Sequence, residues 1–374
     1  MQDAEAAIAA GDAAALRVAL SKMGADGARS VADTEESVRR TLDSLLVRAT
    51  AAETASASAS ASASASAPAG SIFGVLLRRG AAPAEGLAAA IRSGPPATEQ
   101  MLLAMDDSFE RDSLRAFFAS VDRVGNTFLH IVASMPSFGV ACTRMVLLGA
   151  DPSMRNSNGE TPMHVAAASG RLDCLQALCM NATPPMLASH GQMASVLVVA
   201  LKNDPTGECA GALLRVAPQL LSEPHGSFLP IHFAARVGNL AGLRALVAAG
   251  ADVDTTAADG RTPLFLACEF DQIQCVAELL ALGADPDVPA DGGVFPVHAA
   301  AALDQPDCAG MLRAEGVRFA RVDGSGRTPA HISMMFRETR KNTGQIVRWI
   351  TEDAGSKEAA APFLRGLEKV HPRQ

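Results

Sequence analysis

Tyrosine is absent from the 374-residue sequence, tryptophan occurs once, and aromatic residues make up only 4% of the chain. A core of this composition has to be built from Ala, Leu, Val and Met in closely packed small layers, which favours helix packed on helix. Charged residues are also few, at 19%, whereas 48% of the residues are hydrophobic. That is enough apolar material for two ordinary cores or for one long, continuously buried array.

The chain has no excess of positive charge and no long apolar run. Its formal net charge of -8 argues against general affinity for nucleic acid or for an anionic membrane. The longest strongly apolar run, 196–201, is far shorter than the roughly 20 residues that cross a bilayer. The first residues lack the basic and apolar regions of a signal peptide. We therefore expect a cytoplasmic or nuclear protein with no nucleic-acid partner and no membrane insertion.

Motifs that carry chemistry are missing as well. The cysteines are odd in number and contain no C-x-x-C pair, which argues against a disulfide framework and a zinc ribbon and favours a reducing compartment. The sequence has no G-x-x-x-x-G-K-[ST] phosphate loop, H-E-x-x-H zinc helix, G-x-S-x-G elbow or EF-hand loop. We predict no catalytic residue, no cofactor, no metal site and no enzymatic activity.

What the sequence does contain is a repeat of fixed period. Pro230, Pro263, Pro296 and Pro329 follow one another at steps of 33 residues, and Pro162 lies 68 residues before Pro230, two steps of 34. Each proline after a Thr, as in residues 161–162, suits the first turn of a helix because its missing N–H costs nothing there. A second stretch with apolar residues three and four apart follows each start and predicts a second helix.

The residues around these prolines repeat too: TPMHVAAASG (161–170), LPIHFAARVG (229–238), TPLFLACEF (262–270), FPVHAAAAL (295–303) and TPAHISMMF (328–336). They resemble the T-P-L-H-x-A signature of ankyrin repeats, whose period is 33 residues. The resemblance implies an all-α ankyrin-repeat solenoid of stacked helix-turn-helix units with β-turn fingers. We also expect a bulky β-branched residue at Gly250 or Ala234 to unfold neighbouring units together, since each unit is stabilised mainly by its neighbours.

The repeat pattern divides the chain into five predicted segments. These are an Ala-rich helical N-terminal region that is a candidate divergent ankyrin unit (1–53), an Ala/Ser low-complexity linker (54–70), divergent ankyrin-like helices (71–121), about seven ankyrin repeats with one degraded near 191–217 (122–355), and a C-terminal cap or tail (356–374). Alternating Ala and Ser offers no apolar face to bury, so the linker is expected to be flexible.

Two recurring residue types have structural explanations. Five of the eight histidines (His130, His164, His232, His298 and His331) share one slot of the repeat, about one repeat apart, and in the ankyrin family this histidine bonds loop backbone of neighbouring units. A metal or acid-base role would require them to converge. The paired Asp residues near the fingers, such as Asp252 with Asp254, recur at 33 with no bidentate Glu, which favours turn formation over calcium binding.

Ankyrin-repeat proteins bind partners on the concave face formed by fingers and first helices, so the resemblance implies the same here. The variable slots of that face are the candidate partner-binding residues: Arg155, Asn156, Asn158, Ser169, Arg236, Thr255, Thr256, Glu269, Phe270, Asp287, Arg321, Met335 and Phe336. The apolar ones, Phe270, Met335 and Phe336, are candidate anchors, and contact with the next unit is the alternative for them.

Two functions from different classes follow from the resemblance. The first is a scaffold or adaptor, monomeric on its own, that binds an unknown protein partner. The alternative is a regulatory or substrate-targeting subunit of an enzyme complex such as a ubiquitin ligase or a kinase. An enzyme that co-purifies with the full chain, and is lost when residues 1–70 are deleted, separates the second from the first.

Overall fold

The computed structural model describes residues 2–9, 12–26, 40, 42–49, 76–77, 82–180, 195–302, 306–335, 343–355 and 357–365. The predicted linker at 54–70 and the candidate residue Phe336 lie outside the described residues. Within the described part there is no β-strand, only two isolated bridges at His225–Phe228 and Ala290–Val294. The predicted all-α fold is confirmed.

The chain forms two compact units, the first of residues 1–166 and 173–182 and the second of residues 167–172 and 183–374. The helices assigned to the first unit are α1 (Gln2–Ala9), α2 (Ala13–Asp26), α3 (Pro83–Ser93), α4 (Pro95–Ser108), α5 (Arg111–Phe118), α6 (Phe128–Ala133), α7 (Gly139–Leu147), most of α8 (Pro162–Ala168) and α9 (Leu172–Cys179). Residues 42–49 are helical as well.

The second unit continues the numbering. Its α-helices are α10 (Val196–Asn203), α11 (Glu208–Val216), α12 (Pro230–Val237), α13 (Leu240–Ala248), α14 (Pro263–Glu269), α15 (Ile273–Ala281), α16 (Pro296–Ala302), α17 (Pro306–Ala314), α18 (Pro329–Met335), α19 (Thr343–Asp353) and α20 (Lys357–Leu364). Two 3₁₀ turns, Pro218–Ser222 and Asp291–Gly293, lie between helices.

Helices of the second unit pack in two layers. The first helices of successive repeats, α10, α12, α14, α16 and α18, pack on one another, and the second helices α11, α13, α15 and α17 form the other layer. Alanines such as Ala234, Ala267 and Ala300 are completely buried in the first layer. Small side chains at these positions let neighbouring helices approach closely, as the repeat pattern predicts.

The loops between repeats form the fingers, and neighbouring fingers share backbone hydrogen bonds. In the second unit Ala258 N donates to Ser227 O at 3.2 Å, and Asp291 N donates to Asp259 O at 3.0 Å. In the first unit a bond of 3.1 Å joins residues 157 and 124 in the same way. These bonds pair loop backbone groups that no helix serves, so each of these fingers is held by the preceding one.

The degraded repeat keeps its helices despite its altered sequence. Ser195 takes the Thr slot and its hydroxyl accepts the Val198 N–H at 3.4 Å, while Val196 takes the proline slot. Val198, completely buried, replaces the repeat's histidine. A hydroxyl cap and an apolar side chain thus preserve the helix start without Thr-Pro or His.

Candidate functional site

Most first helices begin at a buried Thr or Ser, whereas Leu229 and Phe295 take this position in two repeats. Thr262 Oγ1 accepts the N–H of Phe265 at 3.1 Å, the usual N-cap bond. Phe265 occupies the histidine slot of this repeat and is 6% exposed. The sequence-based interpretation of that slot as a packing position is consistent with this burial.

In the other repeats, except the degraded one, the same slot holds a histidine, and His232 and His298 each join two loops. The His232 Nδ1 accepts the Leu229 N–H at 3.2 Å, and Nε2 lies 3.1 Å from the Arg261 carbonyl oxygen. Because a carbonyl oxygen only accepts, Nε2 carries the proton and the imidazole is neutral. His298 repeats both bonds, with Nε2 3.1 Å from the Arg327 carbonyl. This histidine therefore ties its own helix start to the next finger and is occupied on both nitrogens.

Burial lowers the pKa of His130, His232 and His298 below its ordinary value. The unfolded chain therefore binds more protons than the folded chain as the pH falls below about 6.5. The stability that these neutral imidazoles support is present above that pH and is lost progressively below it. The lowered pKa of Asp259 and Asp323 places their titration at more acidic pH.

We expect the urea concentration at the midpoint of unfolding to decrease as the pH is lowered from about 7 to about 5.5. Protonation of Nδ1 of these histidines would break its bond to the helix start. Circular dichroism of the full chain in urea at a series of pH values measures this. A midpoint that stays constant or rises over that interval would contradict the neutral, doubly bonded histidines.

Aspartates of the fingers form turns and bonds between fingers. Asp252 Oδ1 accepts the Asp254 N–H at 3.0 Å, and Asp285 Oδ1 accepts the Asp287 N–H at 2.8 Å. Asp254 Oδ1 in turn accepts the Asp285 N–H at 2.8 Å, which joins two successive fingers. The described residues contain no group of three His, Cys, Asp or Glu side chains that could hold a metal ion. These carboxylates are committed to loop backbone, in agreement with the turn interpretation.

Cysteine thiols in the helices are buried. All seven are buried and none forms a disulfide, and burial raises the pKa of Cys275 to about 11 and that of Cys308 to about 12. A thiol with such a pKa stays protonated near neutral pH and is a poor nucleophile. The recurrence of Cys174, Cys275 and Cys308 near the start of second helices therefore reflects packing of a small side chain.

In the first unit, the candidate residues of one finger differ in availability. Asn156 is 8% exposed, and its amide oxygen accepts the N–H groups of Asn158 and Glu160 at 3.0 and 2.9 Å. Its amide nitrogen donates to Asn126 at 3.0 Å. Arg155 donates to the carbonyl of residue 159 at 2.7 Å. The prediction of Asn156 as a surface residue needs correction, because its side chain holds the finger together, whereas Asn158 remains exposed.

Finger residues of the second unit are partly paired. The Arg321 guanidinium forms an ion pair with Asp287 and lies 4.8 Å from the centroid of the Phe295 ring. The carbonyl of Thr255 lies 3.2 Å from His232 Nε2, and the side chain of Thr256 is exposed. Asp287 and Arg321 are therefore presented as one preformed pair.

The ends of the first helices bring three candidate residues together. The Arg236 guanidinium lies 5.7 Å from the Phe233 ring centroid and 5.6 Å from that of Phe270. Phe270 is 45% exposed, and Glu269 beside it accepts from Arg261 Nη1 at 2.7 Å. No carboxylate of the described residues forms an ion pair with Arg236. The cluster therefore presents an exposed aromatic ring and a cation, with the neighbouring acid already neutralised.

The remaining two candidates at helix ends lie apart from this cluster. Met335 is 55% exposed, and Arg327 Nη1 lies 3.8 Å from its sulfur. Ser169 is half-buried just after α8. Arg327, like Arg261, lies two residues before the proline of its repeat and reaches the end of its own first helix. Sequence spacing alone did not reveal these arginines, although their shared slot before Thr-Pro is the signal that could have found them.

Comparison with known proteins gives one family. The family model described as ankyrin repeats matches three times, at residues 87–187, 197–290 and 231–324, which together cover more than half of the chain. No curated protein sequence matches the chain significantly. None of the helices in the described part of the chain is long and apolar enough to cross a membrane.

Solved structures agree with the family model. The chain is similar to the human ASB11 ankyrin repeat domain, with 22% identity and a TM-score of 0.50 over 59% of this chain and 96% of that one. It is similar to the ankyrin repeat domain of Bcl-3, a member of the IkappaB family, with 25% identity and a TM-score of 0.50 over 60% of this chain and 99% of that one. Proteins of this family are generally modules for protein–protein interaction and typically have no enzymatic activity. The chain belongs to the ankyrin repeat family.

Proposed function

We propose that this protein is an interaction scaffold or adaptor, and that it binds a protein partner through the first-helix ends and fingers of its second unit. The single observation that carries the proposal is the cluster of Arg236, Glu269 and Phe270. Phe270 is exposed against Arg236, which has no ion pair among the described residues, so both side chains are available to a partner. Arg and aromatic residues dominate binding energy at protein interfaces.

The contacts of this cluster support preorganisation. Glu269 is held by Arg261, which also forms an ion pair with Asp259 at 2.6 Å. Arg236 rests between two rings. Side chains that are already fixed lose little conformational entropy when a partner binds. The proposal therefore assigns the anchoring role to Phe270 and the orienting role to Arg236.

Other predicted residues extend the proposed surface. These are Thr255, Thr256, Asp287, Arg321, Met335 and Ser169, all in the second unit. Arg155 and Asn158 remain proposed partner-binding residues of the first unit by itself. The exposed Asp287–Arg321 pair sits at a finger, where rim charges change association rate more than affinity. We further propose that the chain works as a monomer in a reducing compartment, the cytoplasm or the nucleus. Seven buried cysteines, none of them in a disulfide, support the reducing compartment.

A triple substitution tests the proposal. Arg236→Ala, Glu269→Ala and Phe270→Ala together should reduce the amount of partner captured from source-cell extract by about tenfold or more. Truncation of a single hot-spot residue costs about 2 kcal/mol or more of binding free energy. The matched control is Arg318→Ala, Glu315→Ala and Leu282→Ala, which removes the same kinds of exposed side chain near the ends of second helices. Quantitative mass spectrometry of both captures is the measurement.

The two triple variants have to be compared at equal folding. Thermal unfolding followed by circular dichroism should give nearly the same transition for both, since all the replaced side chains are at least partly exposed. Partner recovery that is equal in the cluster variant, the control variant and the unaltered chain would place the interface elsewhere.

A further inference from the structure

A groove opens at the turn between the two helices of a repeat, within the second unit. It has a volume of about 570 Å³, and its lining includes Lys202 at the end of α10, Val237 and Leu240 at the α12–α13 turn, and Arg244 and Gln274 on the second helices. This is room for several side chains of a bound segment. Neither the repeat signature nor the fingers contribute to it, and sequence analysis did not find it.

Asn239, which lines the groove, is held by three hydrogen bonds. Asn239, 7% exposed, donates from Nδ2 to the carbonyls of Leu201 and Asp204 at 2.9 and 2.7 Å, and its Oδ1 accepts the Gly242 N–H at 2.7 Å. One side chain thus joins the end of α10 to the start of α13. The groove exists before any partner arrives, which lowers the entropic cost of binding.

Apolar surface is exposed in and beside the groove. Val237 in the lining is 41% exposed, and Ile273, adjacent to the lining residue Gln274, is 38% exposed. Phe270, three residues before Ile273, is 45% exposed. Side chains of this kind in a concave surface favour an apolar side chain of a partner.

Both charged side chains that line the groove are cations, and one of them is paired. The residues that line it include the cations Lys202 and Arg244 and no carboxylate. The Arg244 guanidinium donates to both Glu278 oxygens, at 2.8 and 2.7 Å. Lys202 is exposed, with Nζ 5.1 Å from the Phe233 ring centroid, and among the described residues no carboxylate forms an ion pair with it. Arg236 lies over the same ring. Lys202 in the groove and Arg236 beside it are therefore two cations near one ring, neither with an ion pair among the described residues.

We propose that this groove binds an acidic segment of a partner protein, one that places an apolar side chain against Val237 and carboxylates against Lys202 and Arg236. Opposite charge at close range supplies attraction and register, and the apolar side chain supplies affinity. The inference rests on the proposed function, because it names the chemistry of the segment that such a partner would present.

A labelled peptide tests the groove on the full chain. The probe is a fluorescein-labelled octapeptide of two leucines flanked on each side by three glutamates, and binding is followed by fluorescence anisotropy at low salt. One comparison peptide replaces the glutamates by lysines, and another replaces the leucines by serines. We expect the acidic leucine peptide to bind at least about tenfold more tightly than either, and its affinity to fall as salt is raised toward about 0.5 M.

Matched variants locate the binding. Lys202→Glu with Gln274→Glu changes the net charge by -2 and -1, from -8 to -11. This double variant should bind the acidic peptide at least about tenfold more weakly. Arg318→Glu with Gln219→Glu makes the same charge change on exposed residues outside the groove and should leave binding within about twofold. Val237→Ser should weaken binding by about threefold or more, whereas Val216→Ser, at a 51% exposed valine elsewhere, should not.

Several results would overturn the inference. The first is that the acidic leucine peptide does not bind. The second is that the lysine peptide binds as tightly as the acidic one. The third is that the groove and control double variants weaken binding of the acidic peptide equally. Sedimentation that showed a dimer disrupted by the groove variants would assign the groove to a second copy of the chain instead.

The inference and the proposed function fail separately. If the peptide does not bind but the Arg236, Glu269 and Phe270 triple variant loses its partner, the scaffold proposal stands and the groove assignment falls. If the peptide binds through Lys202 but the triple variant keeps its partner, the groove assignment stands and the surface proposed for the first-helix ends falls.

Discussion

Gly207→Ala is expected to destabilise the second unit by at least about 3 kcal/mol more than Gly250→Ala, because only the first substitution forces backbone apart. Both glycines have positive φ, +69° and +101°, so both substitutions carry the cost of an unfavourable conformation. A Cβ at Gly207 would lie 2.6 Å from the Ala241 carbonyl carbon and 2.8 Å from Gly242 N. Around Gly250 nothing lies within 4 Å of that position.

A bulky β-branched residue at Gly250 is therefore expected to act through its unfavourable φ and not through a clash of its Cβ. The conformation at the end of α13 requires glycine there, but the neighbouring repeat leaves space. Gly207 caps α11 and meets the start of α13, so relief of its clash would separate two second helices. Ala234 remains a packing position, since it is completely buried.

Urea unfolding measures this difference in stability. The two variants and the unaltered chain would be followed by the helix signal in circular dichroism, at about 222 nm. Because both variants share positive φ and the same added methyl, the pair isolates the steric contact. Equal midpoints for Gly207→Ala and Gly250→Ala would mean that successive repeats are not packed as described.

Asn239→Ala is expected to cost about 2–4 kcal/mol, because it removes three hydrogen bonds, two of them to carbonyl groups of the preceding repeat. Those carbonyls belong to Leu201 and Asp204. The Asn239 slot follows the Gly that ends α12, and the side chain also caps α13 through Gly242 N. Loss of one side chain therefore weakens a helix start and the junction between repeats together.

Asn239→Asp sharpens the test. The carboxylate can still accept the Gly242 N–H, but its second oxygen would face two carbonyl oxygens in place of a donor. We expect Asn239→Asp to be at least as destabilising as Asn239→Ala near neutral pH, and urea midpoints of both variants measure it. If the aspartate variant were as stable as the unaltered chain, capping alone would be the role of Asn239 and the bonds to the preceding repeat would contribute nothing.

Sequence spacing was sufficient for the helix-turn-helix pattern because its determinants are local. Thr262, the proline after it and the histidine slot each act within one turn of helix, and their recurrence at 33 reveals the stack. The degraded repeat shows the same physics with other residues, since Ser195 supplies the hydroxyl cap. A cap is a property of a few neighbouring atoms, so it survives substitution by a chemically similar side chain.

The candidate surface could be predicted only in part, because it depends on contacts between residues far apart in the chain. Asn156 was expected to be available to a partner, yet its side chain is buried and donates a hydrogen bond to Asn126, 30 positions earlier. Arg236 and Phe270 were expected as separate variable residues, and the structure brings them within 5.6 Å. Phe336 stays a prediction, as it lies outside the described residues. The groove near Lys202 combines three successive repeats, which no local pattern encodes.

Photocrosslinking at Phe270 tests the central claim most directly. The full chain would carry p-benzoylphenylalanine in place of Phe270, and a control chain would carry it in place of Leu282, which is similarly exposed at 41%. Both would be irradiated in source-cell extract and the adducts identified by mass spectrometry. The account predicts a protein adduct from position 270 that position 282 does not give. Adducts that are equal from both positions, or found only from position 282, would contradict it.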